Sequence, residues 1–248
     1  MKDAIIESLS TTLRKGRMLD GLLPHFQDFL GRCGTHRVLD LCAGAGGPGT
    51  ILLESLQRAG CDDIELLLTD LQPQLETWRE LRSVHGESLD FVADPVDATK
   101  IPEALSDGRV RVIINALHHF APDLVQGIFD DAMRSEAPIF IAESFGRDPR
   151  GFLSFLIPGV PALLSHPVRA KRGGLRAAAM MPALMLASIW DGFVSTMRIY
   201  EESDLRMFVK DCPPGWQWTF CEYPVPWRGT GVLFCGVPPT GAEVVHLG

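Results

Sequence analysis

The feature that most constrains this chain is a short apolar run that leads directly into a glycine-rich turn. Residues 36–41 read HRVLDL, residues 42–49 read CAGAGGPG, and residues 50–60 read TILLESLQRAG with a helical period that ends at Gly60. This order predicts a strand, a tight turn and a helix, and Pro48 suits the first helical turn, where an amide hydrogen has no partner. The backbone of such a turn can approach a ligand closely, beside free amide groups at the N-terminus of the helix.

Apolar runs and helical periods alternate further along the chain. We predict strands at 64–70, 89–94, 109–117 and 138–145, helices at 75–84 and 123–135, and two short amphipathic helices within residues 3–30. Because parallel strands need crossover connections, this alternation indicates a parallel sheet with helices on both faces. Beyond a last helix at 204–212, residues 216–225 and 229–237 are predicted to form an antiparallel hairpin.

The composition argues against several classes of function. Lys and Arg number 23 against 31 Asp and Glu, a net charge of −8, so a protein that binds nucleic acid through surplus positive charge is disfavoured. The six cysteines stand singly, without the paired spacing of zinc sites or small disulfide frameworks, and we expect reduced thiols. Residues 1–16 contain acids and no uninterrupted apolar core, so no secretory signal is expected and the predicted location is the cytoplasm.

The turn from Gly44 to Gly49 satisfies the pattern G-x-G-x-x-G, which alone is a weak signal. Asp70 ends the second predicted strand, 21 residues past Gly49, where a carboxylate can accept hydrogen bonds from two ribose hydroxyls or cap a helix. These features fit either a nicotinamide dinucleotide or an adenosyl cofactor. Asp40 inside the first strand, and about 30 helical residues before that strand, favour the adenosyl cofactor.

Three strings carry a resemblance to a known family. Asp40 to Gly46 reads D-x-C-x-G-x-G, residues 97–102 read DATKIP, and residues 115–120 read NALHHF. They resemble the motifs D-x-G-x-G-x-G, D-A-x-x-L-P and N-x-L-H-H of the class I S-adenosylmethionine-dependent methyltransferases, over roughly residues 36–145. DLCAGAGGPG, LLTDLQPQ and WDGFVSTMRIYEESDL are similar to a little-characterised bacterial branch of that family, whose substrate the resemblance does not supply.

The resemblance implies an α/β fold with a Rossmann-like, seven-stranded, mostly parallel sheet and a C-terminal antiparallel hairpin. The length of 248 residues suits a single domain. We expect N-terminal helices at 1–34, a cofactor-binding core at 35–146, an inserted apolar helical segment or lid at 147–200, and a last helix with the closing hairpin at 201–248. The implied cofactor is S-adenosylmethionine, and the implied product is S-adenosylhomocysteine.

The cofactor would contact residues at the ends of the first four strands. The implied set is Asp40, Cys42, Ala43, Gly44, Gly46, Asp70, Leu71, Asp97, Ala98 and Asn115. Asp97 either meets the adenine ring or caps a turn, and Asp94 competes with it for the adenine. Cys42 stands where the family usually has glycine, so we expect a backbone conformation that an L-residue holds without strain. Since nothing basic adjoins it in sequence, Cys42 is interpreted as a packing or cofactor contact and not as a nucleophile.

Methyl transfer to a heteroatom requires alignment of the reactants and, for some acceptors, removal of a proton. His118 and His119 follow the fourth strand at the ligand-binding edge of the sheet, and imidazole ionises nearest neutral pH, so either is a candidate base. The alternative is a structural strand ending beneath the cofactor. Glu143 is a further catalytic candidate. No metal site is expected, because adjacent residues on an extended chain point to opposite sides.

The candidate acceptor-binding residues are Asp148, Trp190 and Tyr200, near or within a chemically distinct segment. Residues 151–200 carry five basic side chains against one acid, a balance of +4. One apolar run precedes the basic cluster at 169–176 and another follows it, and four prolines interrupt the segment. Neither run reaches the roughly 20 residues of a membrane-spanning helix. The segment is interpreted as a lid over a largely apolar acceptor, as a peripheral contact with anionic lipid, as a homodimer interface, or as ordinary core helices.

The sequence therefore favours methyl transfer from S-adenosylmethionine to oxygen, nitrogen or carbon of a small, largely apolar acceptor. One alternative is a cyclase or isomerase on the same cofactor fold, since a fold does not determine a chemistry. Another is a nicotinamide-dependent reductase, against which Asp40 and the DATKIP string argue. A third is a membrane-surface or partner-binding module.

Overall fold

The computed structural model describes residues 17–148, 186, 189–190, 192–226 and 229–239. Its strands are β1 (Arg37–Asp40), β2 (Glu65–Leu68), β3 (Leu89–Phe91), β4 (Val110–Ile114), β5 (Ile139–Glu143), β6 (Gln217–Val225) and β7 (Gly229–Val237). The helices are α1 (Leu23–Cys33), α2 (Gly47–Arg58), α3 (Leu75–His85), α4 (Glu103–Ser106), α5 (Pro122–Arg134) and α6 (Glu202–Phe208). Residues 192–197 are also helical.

The seven strands form one sheet in the order β3-β2-β1-β4-β5-β7-β6. The first five strands pair in parallel, and β7 runs antiparallel to both β5 and β6. The predicted fold class, a mostly parallel sheet with a closing antiparallel hairpin, is confirmed. All five residues of β4 and of β5 are buried, as expected for central strands that helices cover on both faces.

Two apolar clusters fill the space between the sheet and its helices. Phe26 of α1 packs on Phe140 of β5, with ring centroids 5.0 Å apart in an edge-on arrangement, and α2 and α3 extend this cluster. On the other face Phe129 of α5 meets Phe234 of β7 at 5.9 Å. Edge-on aromatic pairs contribute about 0.5–1.5 kcal/mol beyond the area that they bury.

A buried ion pair connects α5 to the central strand β4. Arg111, which is fully buried, donates from Nη1 to Asp131 Oδ2 at 2.9 Å, and its other nitrogens donate to the hydroxyls of Ser106 and Ser135. Burial lowers the pKa of Arg111, while the adjacent Asp131 carboxylate opposes that shift. Removing one partner of such a pair leaves a buried charge and costs about 3–5 kcal/mol.

Several predictions fall wholly or partly outside the described residues. The first predicted N-terminal helix falls within residues 1–16, and most of the predicted apolar insertion falls within 149–185, outside the described residues. The four divisions of the chain, and the choice among a lid, a lipid contact, a dimer interface and core helices, stay predictions. All six cysteines are free thiols, as predicted. Among the described residues, no helix is both long enough and apolar enough to cross a membrane.

The hairpin depends on two glycines that lie opposite aromatic residues. Trp218 pairs with Gly236, and Tyr223 pairs with Gly231. Each ring lies across its glycine so closely that a Cβ atom there would overlap the ring. The absence of a side chain on β7 therefore allows Trp218 and Tyr223 to cover the strand.

We predict that Gly236→Ala lowers the free energy of unfolding by about 1–3 kcal/mol, because the added methyl group must displace the Trp218 ring. The matched control is Gly31→Ala in α1, where a Cβ would meet no atom within 4 Å. It should raise the stability by roughly 0.5–1 kcal/mol through helix propensity. Equilibrium urea unfolding measures both. Equal stability of the parent protein and Gly236→Ala would show that the Trp218 ring is not fixed over β7.

Candidate functional site

A cavity of about 740 Å³ lies at the carboxyl edge of the sheet. Its described walls are the turn after β1, the loops after β4 and β5, residues 192–202, and the end of the β6–β7 hairpin at which Val225 pairs with Gly229. The chain runs outward from β1 to β2 and β3 and then returns to β4 on the other side of β1. Ligands of open α/β sheets bind at such a switch point, so this cavity is the candidate site.

The glycine-rich turn forms one wall and is held by two hydrogen bonds from Gly44. The Gly44 N–H donates to Asp70 Oδ2 at 2.8 Å, and the Gly44 carbonyl accepts from Trp78 Nε1 at 2.9 Å. Gly44 has a φ of 55°, and a Cβ there would meet nothing within 4 Å. The turn is thus fixed from behind, while the space over Gly44 is open to a ligand.

Asp70 is oriented by main-chain amides at the end of β2. Its Oδ1 accepts from the Gln72 N–H at 2.8 Å, and its Oδ2 accepts from Gly44. Each carboxylate oxygen can accept a second hydrogen bond, so the group keeps acceptor capacity for a ligand. The adjoining side chain of Leu71 is 61% exposed and offers an apolar face beside the carboxylate.

Asp40 lies beneath the turn and does not line the cavity. Its carboxylate is buried against Gly49 of α2. Burial, followed by the negative charge of Asp70, raises the pKa of Asp40 to about 8. The side chain therefore supports the turn in its neutral, protonated form at pH 7.

Cys42 corrects the expectation of an unstrained backbone. Its φ is 60°, in the left-handed region, which costs an L-residue roughly 1–2 kcal/mol. The thiol lines the cavity, and its pKa is raised to about 12 by burial and then by the charges of Asp70, Asp40 and Asp97. A thiol that stays protonated supports the interpretation of Cys42 as a packing or ligand contact.

His118 and Glu143 form a buried pair between the ends of β4 and β5. The His118 N–H donates to Glu143 Oε1 at 3.1 Å, and His118 Nδ1 lies 2.9 Å from Glu143 Oε2. Both residues are at most 5% exposed, and His118 lines the cavity with Glu143 behind it. Since a carboxylate accepts at Nδ1, the proton sits there and Nε2 is the nitrogen left to accept a proton.

From the sequence we place the two histidines on an extended chain, and the structure differs. Residues Leu117–His119 form a 3₁₀ turn, and the two imidazole centroids are 4.1 Å apart. From the sequence we expect no metal site because adjacent side chains of an extended chain point to opposite sides, and this reason was wrong. Within the described part of the chain, no three His, Cys, Asp or Glu side chains are grouped so as to hold a metal ion.

Two further hydrogen bonds hold the floor of the cavity. Asn115, with a φ of 55°, accepts the Ser144 N–H at its Oδ1 at 2.7 Å. The Tyr223 hydroxyl donates to the Glu143 carbonyl at 3.0 Å. The ends of β4, β5 and β6 are thereby connected around the His118 imidazole.

The fold is similar to that of solved structures, among them two that are described as methyltransferases. The methyltransferase domain of the bacterial protein CtHen1-C superposes with a TM-score of 0.55 at 9% identity, covering 90% of this chain and 100% of that chain. A SAM-dependent methyltransferase from Aquifex aeolicus gives 0.50 at 14% identity, covering 92% and 97%. The PH0226 protein from Pyrococcus horikoshii OT3 gives 0.55 at 15%, covering 89% of each chain. The chain has the class I S-adenosylmethionine-dependent methyltransferase fold. No protein-family model and no curated protein matches the sequence.

Within this methyltransferase fold, four of the predicted cofactor residues line the cavity: Cys42, Ala43, Gly44 and Asn115. The other six are not among its lining residues: Asp40, Gly46, Asp70, Leu71, Asp97 and Ala98. Gly46 is the N-cap residue of α2, and Leu81 of α3 lies where a Cβ atom of this residue would be. Asp97 caps a turn, accepting the Thr99 N–H and hydroxyl at Oδ1, and these hydrogen bonds lower its pKa. Its contact with an adenine ring stays a prediction.

Of the three predicted acceptor-binding residues, the structure brings two to the cavity. Asp148 and Tyr200 line it, and the Tyr200 hydroxyl donates to the Phe120 carbonyl at 2.8 Å. Trp190 is 68% exposed and is not brought to the cavity. Sequence reasoning missed the contribution of the hairpin, Phe220, Glu222 and Val232. Only the pairing register of β6 and β7 places these residues, and no local motif marks them.

We predict that the buried Asp40 makes stability depend on pH. Its pKa is about 8 in the folded protein and about 4 in an unfolded chain. Between these values the folded protein binds the extra proton, so the stability conferred by protonated Asp40 is complete below pH of about 4 and falls as the pH rises to about 8. Asp40→Asn, which carries no charge, should flatten this fall.

Denaturant unfolding at several pH values between about 5 and 8 measures the slope. The matched control is Asp63→Asn. The hydrogen bond to His36 lowers the pKa of this exposed carboxylate, so the protonation of Asp63 changes the stability only at a pH below the measured range. The same slope in Asp40→Asn and the parent protein would contradict a protonated Asp40.

Proposed function

We propose that the chain binds S-adenosylmethionine and transfers the methyl group to an oxygen or nitrogen atom of a small, largely apolar acceptor. The observation that carries the proposal is the composition of the cavity. The glycine-rich turn bounds it on one side, and His118, oriented by Glu143, bounds it on the other. One cavity thus combines a surface suited to a nucleoside with a group able to take a proton.

The residues of the glycine-rich turn and those that follow β2 have the chemistry to bind the cofactor. The open space over Gly44 leaves room for a ligand against the main chain, beside the N-terminus of α2. The fixed carboxylate of Asp70 has acceptor sites suited to the two hydroxyls of a ribose. Leu71, exposed beside it, suits the face of a purine ring.

S-adenosylmethionine supplies a methyl group activated by the positive charge of its sulfonium sulfur. The protein's own residues align the acceptor and remove its proton. His118 Nε2 takes the proton that the hydroxyl or amine of the acceptor loses. The Glu143 carboxylate, 2.9 Å from Nδ1, stabilises the imidazolium that results. The burial of both groups strengthens this interaction because little water reaches it.

The acceptor side of the cavity is mostly apolar. Its side chains include Phe145, Ile199, Phe220, Val225 and Val232. Burial of apolar ligand surface against them stabilises the complex by roughly 25 cal/mol per Å². These walls support an acceptor with an aromatic or aliphatic body.

We predict that Asp70→Ala weakens S-adenosylmethionine binding about 10- to 150-fold. This corresponds to roughly 1.5–3 kcal/mol for hydrogen bonds to a charged acceptor. Isothermal titration calorimetry measures the affinity. Asp63→Ala is the matched control, because it removes an exposed carboxylate near the amino end of β2. Unchanged affinity in a folded Asp70→Ala protein would remove Asp70 from the cofactor site, and tighter binding of NAD than of S-adenosylmethionine would refute the proposed cofactor.

We also predict that His118→Ala lowers turnover by about 10²-fold or more with little change in cofactor affinity. Formation of S-adenosylhomocysteine from S-adenosylmethionine, with a panel of phenols and aryl amines as acceptors, gives the rate, and calorimetry gives the affinity. Glu143→Gln should retain cofactor binding and displace the pH profile of turnover, since the imidazolium loses its carboxylate. The control is His36→Ala, an exposed histidine paired with Asp63. Full turnover in His118→Ala would show that alignment alone suffices.

A further inference from the structure

Glu222 lies in the same row of the sheet as the pair that orients the proposed base. Glu143 of β5 is directly opposite Val232 of β7, and Val232 is directly opposite Glu222 of β6. Side chains of directly opposed residues lie on the same face of a sheet. Two strand spacings separate Glu143 from Glu222, which is about 10 Å. Glu222, Val232 and His118 all line the cavity.

Glu222 differs from the other carboxylates beside this cavity. The Glu201 side chain caps α6, and Glu202 Oε1 accepts from Arg206 Nε at 2.7 Å. The carboxylate of Glu222 forms no hydrogen bond or ion pair with any residue that the structure describes. Glu222 is exposed on the edge strand β6 and lines the cavity, so a ligand in the cavity can reach its carboxylate from the solvent side.

The aromatic lining of the cavity also favours a positive charge. The lining carboxylates Glu201 and Glu202 already have partners on α6, so they add little to this preference. The aromatic side chains of Phe145, Tyr200 and Phe220 line the same cavity. Aromatic faces attract ammonium groups by about 0.5–2 kcal/mol, according to how far the site is desolvated.

We propose that the acceptor carries a protonated amine that binds Glu222, at the opposite end of the molecule from the atom that is methylated. This inference rests on the proposed function, because it places the reacting atom at His118. The separation of about 10 Å between the two strands that carry Glu143 and Glu222 suits one aromatic ring with a short aminoalkyl chain. Glu222 is then the residue that selects an amine-bearing acceptor over a neutral one.

Three phenols of nearly equal size test this selection: tyramine, the neutral 4-propylphenol, and 3-(4-hydroxyphenyl)propanoate. Their affinities are measured by calorimetry on the full chain in the presence of S-adenosylhomocysteine, without turnover. We expect tyramine to bind about tenfold more tightly than 4-propylphenol, and Glu222→Gln to abolish the difference. The matched control, Glu202→Gln, removes a lining carboxylate that is already bound to Arg206 and should keep the preference.

Equal affinities for tyramine and 4-propylphenol, no binding of either phenol, or a preference that survives in Glu222→Gln would overturn the proposal. Tighter binding of the propanoate would also overturn it and would direct attention to Arg147. The proposed function is tested separately, by S-adenosylhomocysteine binding before any phenol is added. Loss of that binding would count against methyl transfer, whereas the preference for the amine is read from the phenol affinities alone.

Discussion

The candidate site depends on the Glu143 carboxylate, which binds both the main chain and the ring of His118. A buried carboxylate is tolerated only where hydrogen bonds replace those of water, so this pairing restricts where the chain can go after β4. The 3₁₀ turn that carries His118 brings its amide and its imidazole to the same carboxylate. Tyr223, bonded to the Glu143 carbonyl, extends the restraint to the hairpin. Orientation of the proposed base and closure of the sheet are therefore parts of one hydrogen-bonded unit.

The amino edge and the carboxyl edge of the sheet differ in how their buried charges are paired and in how much backbone strain they contain. Towards the amino edge, Arg111 and Asp131 satisfy one another and Arg111 also donates to neighbouring hydroxyls, so neither buried charge is left without a partner. At the carboxyl edge, Asp40 is buried near Asp70 with no opposite charge beside it in the described part of the chain, and Cys42 and Asn115 have positive φ angles. Strain of this kind persists only where the surrounding structure determines it, and it is concentrated at binding sites.

The local parts of the fold could be predicted because their causes are local. A strand, a glycine-rich turn and a helix follow one another within residues 36–60, and the described bounds of β1 and α2 lie within a few residues of those expected. The conformation of Cys42 could not be predicted, because closure of the turn against Asp70 and Trp78 determines it. The pairing of His118 with Glu143 spans 25 residues, and nothing in either segment specifies the partner.

The two halves of the cavity also differ in how they are encoded. The cofactor half is built largely from the contiguous turn after β1, so a motif read along the sequence identifies the chemistry it suits. The acceptor half joins Ser144 to Phe220 and Val232, which only the register of β5, β7 and β6 brings together. Substitutions on the hairpin can therefore alter what the cavity accepts while the turn after β1 stays intact. For this reason motifs of the cofactor half indicate a reaction class, whereas the acceptor must be inferred from side chains assembled by the sheet.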